Sequence, residues 1–181
     1  NDNPYSFILN DRPLSLLSVP GARECCIEMN SLSKSHNMAG WRIGMLASNP
    51  RFVEWILRVK SNIDSGMFRP LQSAAIKALS CGPEWYDEVN RVYRSRRQIA
   101  ERIMQALDCR YDPSQVGLFL WGRIPDTAPD AESLADRILH EARVFVTPGF
   151  IFGSRGNRYL RISLCATEER MNEALQRIQS V

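Results

Sequence analysis

The sequence lacks any apolar run that approaches the roughly 20 residues needed to cross a bilayer, and it does not open with a secretory signal pattern. Its net charge is also small. The 23 basic and 20 acidic side chains leave a formal charge of +3, which is too little and too scattered to indicate a nucleic-acid-binding surface. These absences predict a soluble protein that binds neither a membrane nor nucleic acid.

Cysteine and histidine are scarce and poorly spaced for metal binding. The five cysteines form an odd set without a C-x-x-C pair, and neither His36 nor His140 has a cysteine or carboxylate at ligand spacing. The sequence therefore predicts no metal site, no disulfide framework and a reducing compartment, most simply the cytoplasm. We expect the adjacent Cys25 and Cys26 to pack in or near the core, because the neighbouring residues do not favour a reactive thiolate.

The composition itself is that of an ordinary globular protein. Hydrophobic residues make up 44% and charged residues 24% of the 181 positions, which excludes a disordered or fibrous chain. A chain of this length buries about two-thirds of its unfolded surface, enough for one domain and a small second one. Short strands mixed with amphipathic helices predict an α/β or α+β fold, with a break near Ser65-Gly66.

Hydrophobic periodicity and capping residues predict the individual elements. Helices are expected after Asn49-Pro50, after Pro70, from about Glu84 to Leu107, after Asp130 and after Thr167. Strands are expected within residues 24–29, 42–47, 117–121, 144–146 and 159–164. On the first helix, one apolar stripe is formed by Phe52, Val53, Ile56, Val59 and Ile63.

The most informative segment is residues 31–44, which read S-L-S-K-S-H-N-M-A-G-W-R-I-G. It places Lys34 on a loop of small residues, with serines before it and Arg42 eight positions after it. A lysine amine forms a Schiff base with an aldehyde, whereas serine hydroxyls, backbone N–H groups and a guanidinium bind a phosphate. The joint spacing therefore indicates a cofactor that carries both an aldehyde and a phosphate.

Residues 31–44 resemble the lysine signature of the class I/II aminotransferases, the fold-type I enzymes that use pyridoxal 5'-phosphate (PLP). Residues 2–5, 117–121, 147–153 and 159–163 resemble other segments of that family, in the same order along the chain. The resemblance implies that the chain is the C-terminal half of such an enzyme.

This family architecture also divides the chain. Residues 1–65 are expected to be a remnant of the large α/β PLP-binding domain, including the Schiff-base lysine loop. Residues 66–181 are expected to be the α+β C-terminal small domain with its linking helices.

The resemblance assigns roles to the cofactor-binding residues. Asp2 is expected to pair with the pyridine nitrogen of PLP, and Tyr5 to hydrogen-bond the ring's 3′ oxygen. Ser31 and Arg42 are expected to bind the phosphate. Lys34 is the expected catalytic residue, which bonds to the cofactor and later carries a proton to and from the substrate.

The resemblance also points to a substrate-binding residue. Arg161 is expected to bind the substrate α-carboxylate with its planar guanidinium; outside this family context it would be read as a solvent-facing strand arginine. His36 and Trp41 lie inside the lysine signature at variable positions, and we interpret them as packing residues or loop polar contacts.

The implied function is transfer of an amino group from an amino acid to a 2-oxo acid in amino-acid biosynthesis, by a protein that is a homodimer in its full-length form. Two alternatives stay open: another fold-type I PLP enzyme such as a lyase, and the aminotransferase-like effector domain of a transcription regulator. The particular amino acids found in the motifs favour a broad-specificity or diaminopimelate-like enzyme. We expect this chain alone to be inactive and to bind PLP weakly or not at all, because part of the expected site would precede Asn1.

Overall fold

The computed structural model describes residues 1–180, which form two compact units, Asn1–Val89 and a second unit from Asn90 onward. The boundary between the units falls inside a long helix and not at the expected break near Ser65-Gly66. A continuous helix carries the chain across this boundary, so no loop marks it. The assignment of residues 1–65 and 66–181 to the family's large and small domains stays a prediction.

The first unit is built around an antiparallel hairpin of β1 (Glu28–Ser31) and β2 (Gly44–Ala47). The strand pairing runs from Glu28 opposite Ala47 to Ser31 opposite Gly44. Between the strands lies the one-turn helix α1 (Leu32–Ser35). The remaining helices of this part of the chain are α2 (Pro50–Ile63), α3 (Arg69–Leu79) and α4 (Pro83–Ala106), of which α4 continues into the second unit.

Helix α2 begins as the sequence predicts but does not bury its apolar stripe. The Asn49 side chain accepts a hydrogen bond from the Phe52 N–H at 3.1 Å, and Pro50 takes the first helical position, where its missing N–H costs nothing. Within the described chain, no residue of α2 is buried; Val59 is 63% exposed and Ile63 is 78% exposed. Periodicity therefore predicted the helix correctly, although within the described chain two stripe residues are only half-buried and the other three are exposed.

The second unit is a four-stranded antiparallel sheet packed against helices. Its strands are β3 (Arg110–Tyr111), β4 (Phe119–Arg123), β5 (Thr147–Pro148) and β6 (Tyr159–Ser163), in the spatial order β3-β4-β6-β5. The helices are α5 (Ala131–Ala142) and α6 (Glu168–Gln179), together with the greater part of α4. Alternate residues of β4 and β6 point into the core, as the alternating sequence predicts.

Local signals again fix the helix starts in this unit. Asp130 accepts a hydrogen bond from the Ser133 N–H at 2.8 Å, and Thr167 accepts one from the Arg170 N–H at 3.4 Å, so both predicted N-caps are confirmed. The strand predicted at residues 144–146 is wrong. Arg143 ends α5 with a left-handed φ of +56°, and only Thr147 and Pro148 reach the sheet.

The core of the second unit lies between the sheet and the three helices. It is formed by Ile99, Ile103, Met104, Leu118, Leu120, Ile124, Leu134, Ile138, Leu160, Ile162, Leu164, Met171, Leu175 and Ile178. Among the described residues, no helix is both long enough and apolar enough to span a bilayer.

Replacement of Leu120 by alanine tests this core. The Leu120 side chain is fully buried on β4, so Leu120→Ala leaves a cavity and is expected to lower the free energy of unfolding by about 2–5 kcal/mol. Leu139→Ala on α5 is the matched control, because Leu139 is 37% exposed, and it should cost less than about 1 kcal/mol. Urea unfolding measures both; equal costs would contradict this packing.

Candidate functional site

The loop that carries Lys34 is closed at its base by backbone pairing. We call residues 32–43 the lysine loop; it connects β1 to β2, and Ser31 pairs with Gly44 where the two strands meet it. The Leu32 N–H also donates to the Ile43 carbonyl at 3.2 Å. A Cβ atom on Gly44 would lie 3.1 Å from the Asn30 carbonyl oxygen, so a glycine allows this close pairing.

Apolar side chains fix the underside of the lysine loop. Leu32, Met38 and Ile43 are buried in one cluster that packs against helix α3. The α3 residues in contact with it are Leu71, Ala74, Ala75 and Ala78. The small alanines let the loop approach the helix closely, and the loop has a packed base although its upper side is open.

Hydrogen bonds tie the middle of the lysine loop to the start of α4. The Trp85 indole N–H donates to the Ser35 carbonyl at 2.9 Å, and His36 lies within hydrogen-bond distance of the Ser35 hydroxyl through Nδ1 (2.9 Å) and of the Tyr86 hydroxyl through Nε2 (3.3 Å). His36 is only 6% exposed, which confirms it as a packing residue. Trp41 is 48% exposed, so of its two expected roles the packing role is wrong and the loop polar contact stays a prediction.

The two predicted phosphate-binding residues lie at the closed end of the lysine loop. The Ser31 hydroxyl caps α1 by accepting from the Ser33 N–H at 3.1 Å, and it lies 3.1 Å from the carbonyl oxygen of Ile43, the residue after Arg42. The Ser33 hydroxyl is 2.9 Å from that of Ser31. Ser33 was not among the predicted site residues, although the S-x-S-K spacing could have indicated it.

Arg42 has an uncommon backbone conformation. Its φ of +54° and ψ of +48° lie in the left-handed region, which costs a residue other than glycine about 1 kcal/mol or more. One guanidinium nitrogen, Nη1, donates to the Ala39 carbonyl at 2.9 Å, and the side chain is otherwise exposed. The surrounding loop therefore holds this arginine in place at an energetic cost, which is typical of functional positions.

The ammonium group of Lys34 has no partner within the part of the chain that the structure describes. Lys34 lies on α1 and is half-buried, and its Nζ forms neither a hydrogen bond nor an ion pair there. Residues 31–44 contain no acidic side chain. The loop therefore carries two basic side chains, Lys34 and Arg42, and no acidic side chain of its own.

Arg42 borders an open cavity of about 670 Å³. Residues of the lysine loop line one side of it, and the other side is formed by the end of α2, the following turn and the start of α3. Lys34 is not one of its lining residues. The structure thus places Ser31 beside Ile43, the residue after Arg42, but neither Ser31 nor Lys34 lines the cavity that Arg42 borders.

Asp2 and Tyr5 lie beside the strand that leads to Lys34. The Met29 N–H donates to the Asn1 carbonyl at 2.7 Å, and Asp2 forms a parallel bridge with Met29 of β1. The segment at Asp2 and strand β1 run parallel, so both end on the same side of the hairpin. The turn with Tyr5 and the loop with Lys34 therefore both begin on that side. The Asp2 carboxylate is exposed and has no hydrogen-bond or ion-pair partner among residues 1–180.

Arg161 lies in the second unit, on β6 opposite Trp121 of β4. Its guanidinium carbon is 4.2 Å from the ring centroid of Phe119 and 4.2 Å from that of Phe152, so two phenyl rings hold the charged group between them. Its Nε atom is buried and has no hydrogen-bond partner in the described chain. A buried donor of this kind is costly unless it binds an acceptor.

The segments expected on the substrate side do surround Arg161. Phe119 belongs to the segment 117–121 and Phe152 to the segment 147–153, and both contact the guanidinium. A Cβ atom on Gly149 would lie 2.5 Å from the Gly156 carbonyl oxygen, so a glycine is needed where this turn folds back on itself. The sequence did not indicate the aromatic clamp, because the pairing of its members depends on sheet register.

The residues of the first unit fit the charges of PLP. A protonated pyridine nitrogen needs an anion, and Asp2 supplies an exposed carboxylate; an aldehyde needs an amine, and Lys34 supplies one without a competing partner. A phosphate dianion needs cations and hydroxyl donors, which Arg42, Ser31 and Ser33 supply. This unmet bonding capacity of Asp2, Lys34 and Arg42 is the observation that supports the fit.

The buried His36 predicts a pH-dependent stability for the first unit. Burial lowers the pKa of His36 below its ordinary value of 6.5, so the folded protein binds this proton less readily than the unfolded chain. The free energy of unfolding should therefore fall as the pH drops below about 6.5. Urea unfolding between pH 7.5 and 5 should show a smaller fall for His36→Gln than for the wild type.

The matched control is His140→Gln, because His140 is exposed on α5. This variant should keep the wild-type pH dependence of stability. An equal fall in His36→Gln and in the wild type would contradict the assignment to His36.

Comparison with known proteins identifies the family of the chain. The sequence profile described as "Aminotransferase class I and II" matches residues 10–178. LL-diaminopimelate aminotransferase of Oleidesulfovibrio alaskensis is 40% identical over 172 residues, covering 95% of this chain and 44% of that protein. The enzyme of the same name from Aquifex aeolicus is 39% identical over 183 residues, covering 100% of this chain and 47% of that protein.

Solved structures show the same fold. An aromatic aminotransferase from Pyrococcus horikoshii has a TM-score of 0.89 and 30% identity, covering 99% of this chain and 49% of its own. A probable N-succinyldiaminopimelate aminotransferase from Thermus thermophilus has a TM-score of 0.86 and 32% identity, covering 99% of this chain and 48% of its own.

The chain spans about half the length of the curated relatives it matches. These coverages show how much of each relative the chain matches. They do not bear out the expectation that the chain is the C-terminal half. The profile nevertheless covers most of the chain, from residue 10 to residue 178. The chain therefore belongs to the class I and II aminotransferases, a family of PLP-dependent enzymes.

Proposed function

We propose that this chain supplies the cofactor lysine and the substrate-carboxylate arginine of an aminotransferase, which transfers an amino group from an amino acid to a 2-oxo acid. One observation carries the proposal: Lys34 is half-buried and unpaired within the described residues, on a loop whose closed end holds Ser31 and Arg42. An amine presented in this way is available to an aldehyde, and the loop base is available to a phosphate.

Each residue of the first unit has a distinct task in this proposal. Lys34 Nζ holds the cofactor covalently and then moves a proton at the substrate α-carbon. Arg42 and Ser31 hold the phosphate, whereas Asp2 and Tyr5 bind polar atoms of the ring. Bound PLP supplies an electron-withdrawing ring that lowers the cost of removing the α-proton.

Arg161 of the second unit is proposed to bind the substrate α-carboxylate. Its Nε donor lacks a partner among the described residues, and a carboxylate accepts two parallel N–H bonds from a guanidinium. Phe119 and Phe152 both contact the guanidinium, which restricts the movement of its donors. A rigid arginine would orient the substrate at a lower entropic cost than a free one.

The similar proteins suggest the amino donor. The relatives from Oleidesulfovibrio and Aquifex are named LL-diaminopimelate aminotransferase, so we propose a diaminopimelate-like donor. We also propose that residues 1–65 and 66–181 correspond to the large and small domains and that the full-length protein is a homodimer. Five free thiols support a reducing compartment, the cytoplasm.

Borohydride trapping tests the role of Lys34. The chain has three lysines, Lys34, Lys60 and Lys77, and borohydride makes a lysine–pyridoxyl bond permanent. We expect the label on Lys34 to exceed that on each of the others about tenfold, a difference of about 1.4 kcal/mol. Peptide mapping by mass spectrometry measures this ratio at limiting PLP. The chain alone is expected to bind PLP weakly. The ratio of label on Lys34 to label on the other lysines therefore tests the role of Lys34, and the total amount of label does not.

Arg42→Ala should lower this selectivity, because the phosphate would lose its guanidinium. Arg58→Ala is the matched control, since Arg58 lies exposed on α2 in an ion pair with Glu54. Equal labelling of the three lysines in the wild type would overturn the role of Lys34.

Protection by a dicarboxylate tests the role of Arg161. Succinate that binds only the folded chain should raise the free energy of unfolding, by about 1.4 kcal/mol at ten times its Kd. Arg161→Met should abolish this stabilisation. Arg123→Met is the control, because Arg123 lies on β4 and is paired with Asp126 at 2.8 Å. Thermal unfolding measures the effect; a stabilisation that survives in Arg161→Met would refute the assignment.

A further inference from the structure

Cys25 does not pack in or near the core, which corrects the sequence-based expectation for that residue. Cys25 is exposed and Cys26 is half-buried. Their Sγ atoms are 3.8 Å apart, close enough for one thiol to donate a weak hydrogen bond to the other. The pair therefore forms a dithiol at the surface, and the proposed aminotransferase reaction gives it no role.

The backbone on both sides of the dithiol is held in place. The Cys26 N–H donates to the Ala22 carbonyl at 2.8 Å, and the Cys26 carbonyl accepts from the Ser48 hydroxyl at 2.7 Å. The Asn49 side chain, which caps α2, donates to the Arg23 carbonyl at 3.0 Å. The two thiols are consequently presented from a fixed segment and do not have to be brought together by a ligand.

Because Cys25 and Cys26 are neighbours in the sequence, both thiols remain available to bind a ligand. Neighbouring Cα atoms lie about 3.8 Å apart across a trans peptide, below the range of about 4.4–6.8 Å that disulfides prefer. A bond between Cys25 and Cys26 would therefore be strained, and the reduced pair is favoured. A ligand atom placed between the two sulfurs avoids this strain because it lengthens the bridge.

The surroundings restrict the chemistry of that ligand. Among the described residues there is no group of three or more His, Cys, Asp or Glu side chains that could hold a metal ion, so a four-coordinate zinc site is not offered. A trivalent organoarsenical needs only two sulfurs, since carbon occupies its third position. We propose that Cys25 and Cys26 form a binding site for trivalent organoarsenicals.

The reaction is balanced without an oxidant or a reductant. Phenylarsine oxide would lose its oxygen as one water molecule, both S–H bonds would break, and two As–S bonds would form while arsenic stays trivalent. The hydrogen bond between Cys25 and Cys26 is the main cause that raises the pKa of Cys25, because the Cys25 thiol keeps its own proton in this contact. That proton leaves with the oxide oxygen, and a thiolate is not required beforehand.

Intact-mass spectrometry with phenylarsine oxide tests the proposal. After desalting in a monothiol buffer, the wild-type chain should retain one phenylarsenic group, which a 1,2-dithiol then removes. Cys25→Ser and Cys26→Ser should each reduce retention about tenfold or more, because a single sulfur loses the chelate advantage. Cys165→Ser is the matched control, since Cys165 is also exposed, and it should retain the group.

Peptide mapping of the wild type gives an independent readout that does not depend on the folding of a variant. Trypsin cuts after Arg23 and Lys34, so the peptide 24–34 carries both cysteines of the pair and no other. The arsenic should be found on this peptide. Retention that survives in either single variant, loss of retention in Cys165→Ser, or arsenic on another peptide would each overturn the site.

Discussion

The pairing of Ser31 with Gly44 is the constraint on which the rest of the candidate site depends. This backbone contact closes the lysine loop and sets Ser31 beside the residues that follow Arg42. Without it, only the seven residues 35–41 would set the position of Lys34 relative to Arg42, its proposed phosphate-binding partner. A closed loop on a packed base restricts the backbone and leaves side-chain chemistry to the open side, as functional loops on rigid scaffolds commonly do.

The arginines of the second unit differ in how fully the fold satisfies their charged groups. Arg97 is buried and satisfied by Glu101 and by two carbonyl groups, and Arg158 donates to three carbonyls between Pro125 and Pro129. Such arginines stabilise turns. Arg161, in contrast, has a buried Nε without a partner in the described chain, and only aromatic rings hold it. Because the fold does not neutralise the Arg161 guanidinium, this group can bind an anionic ligand.

Local chemistry explains which elements were predictable. Asn49, Asp130 and Thr167 cap helices through bonds to residues three positions away, so sequence alone contains the interaction. The strand expected at residues 144–146 failed because a left-handed residue and the position of β6 decide where pairing begins. Burial was the least predictable property: most of the α2 stripe and Cys25 are exposed.

The sequence by itself determined the family and predicted roles for Lys34, Arg42 and Arg161, because residue types and their spacing along one chain are enough to define a family signature. Only the tertiary structure decided that Ser33 joins Ser31, that Phe119 and Phe152 enclose Arg161, and that Lys34 lies outside the cavity that Arg42 lines. The physical reason is distance along the chain: these contacts depend on loop closure, sheet register and solvent exposure, which local propensity does not encode.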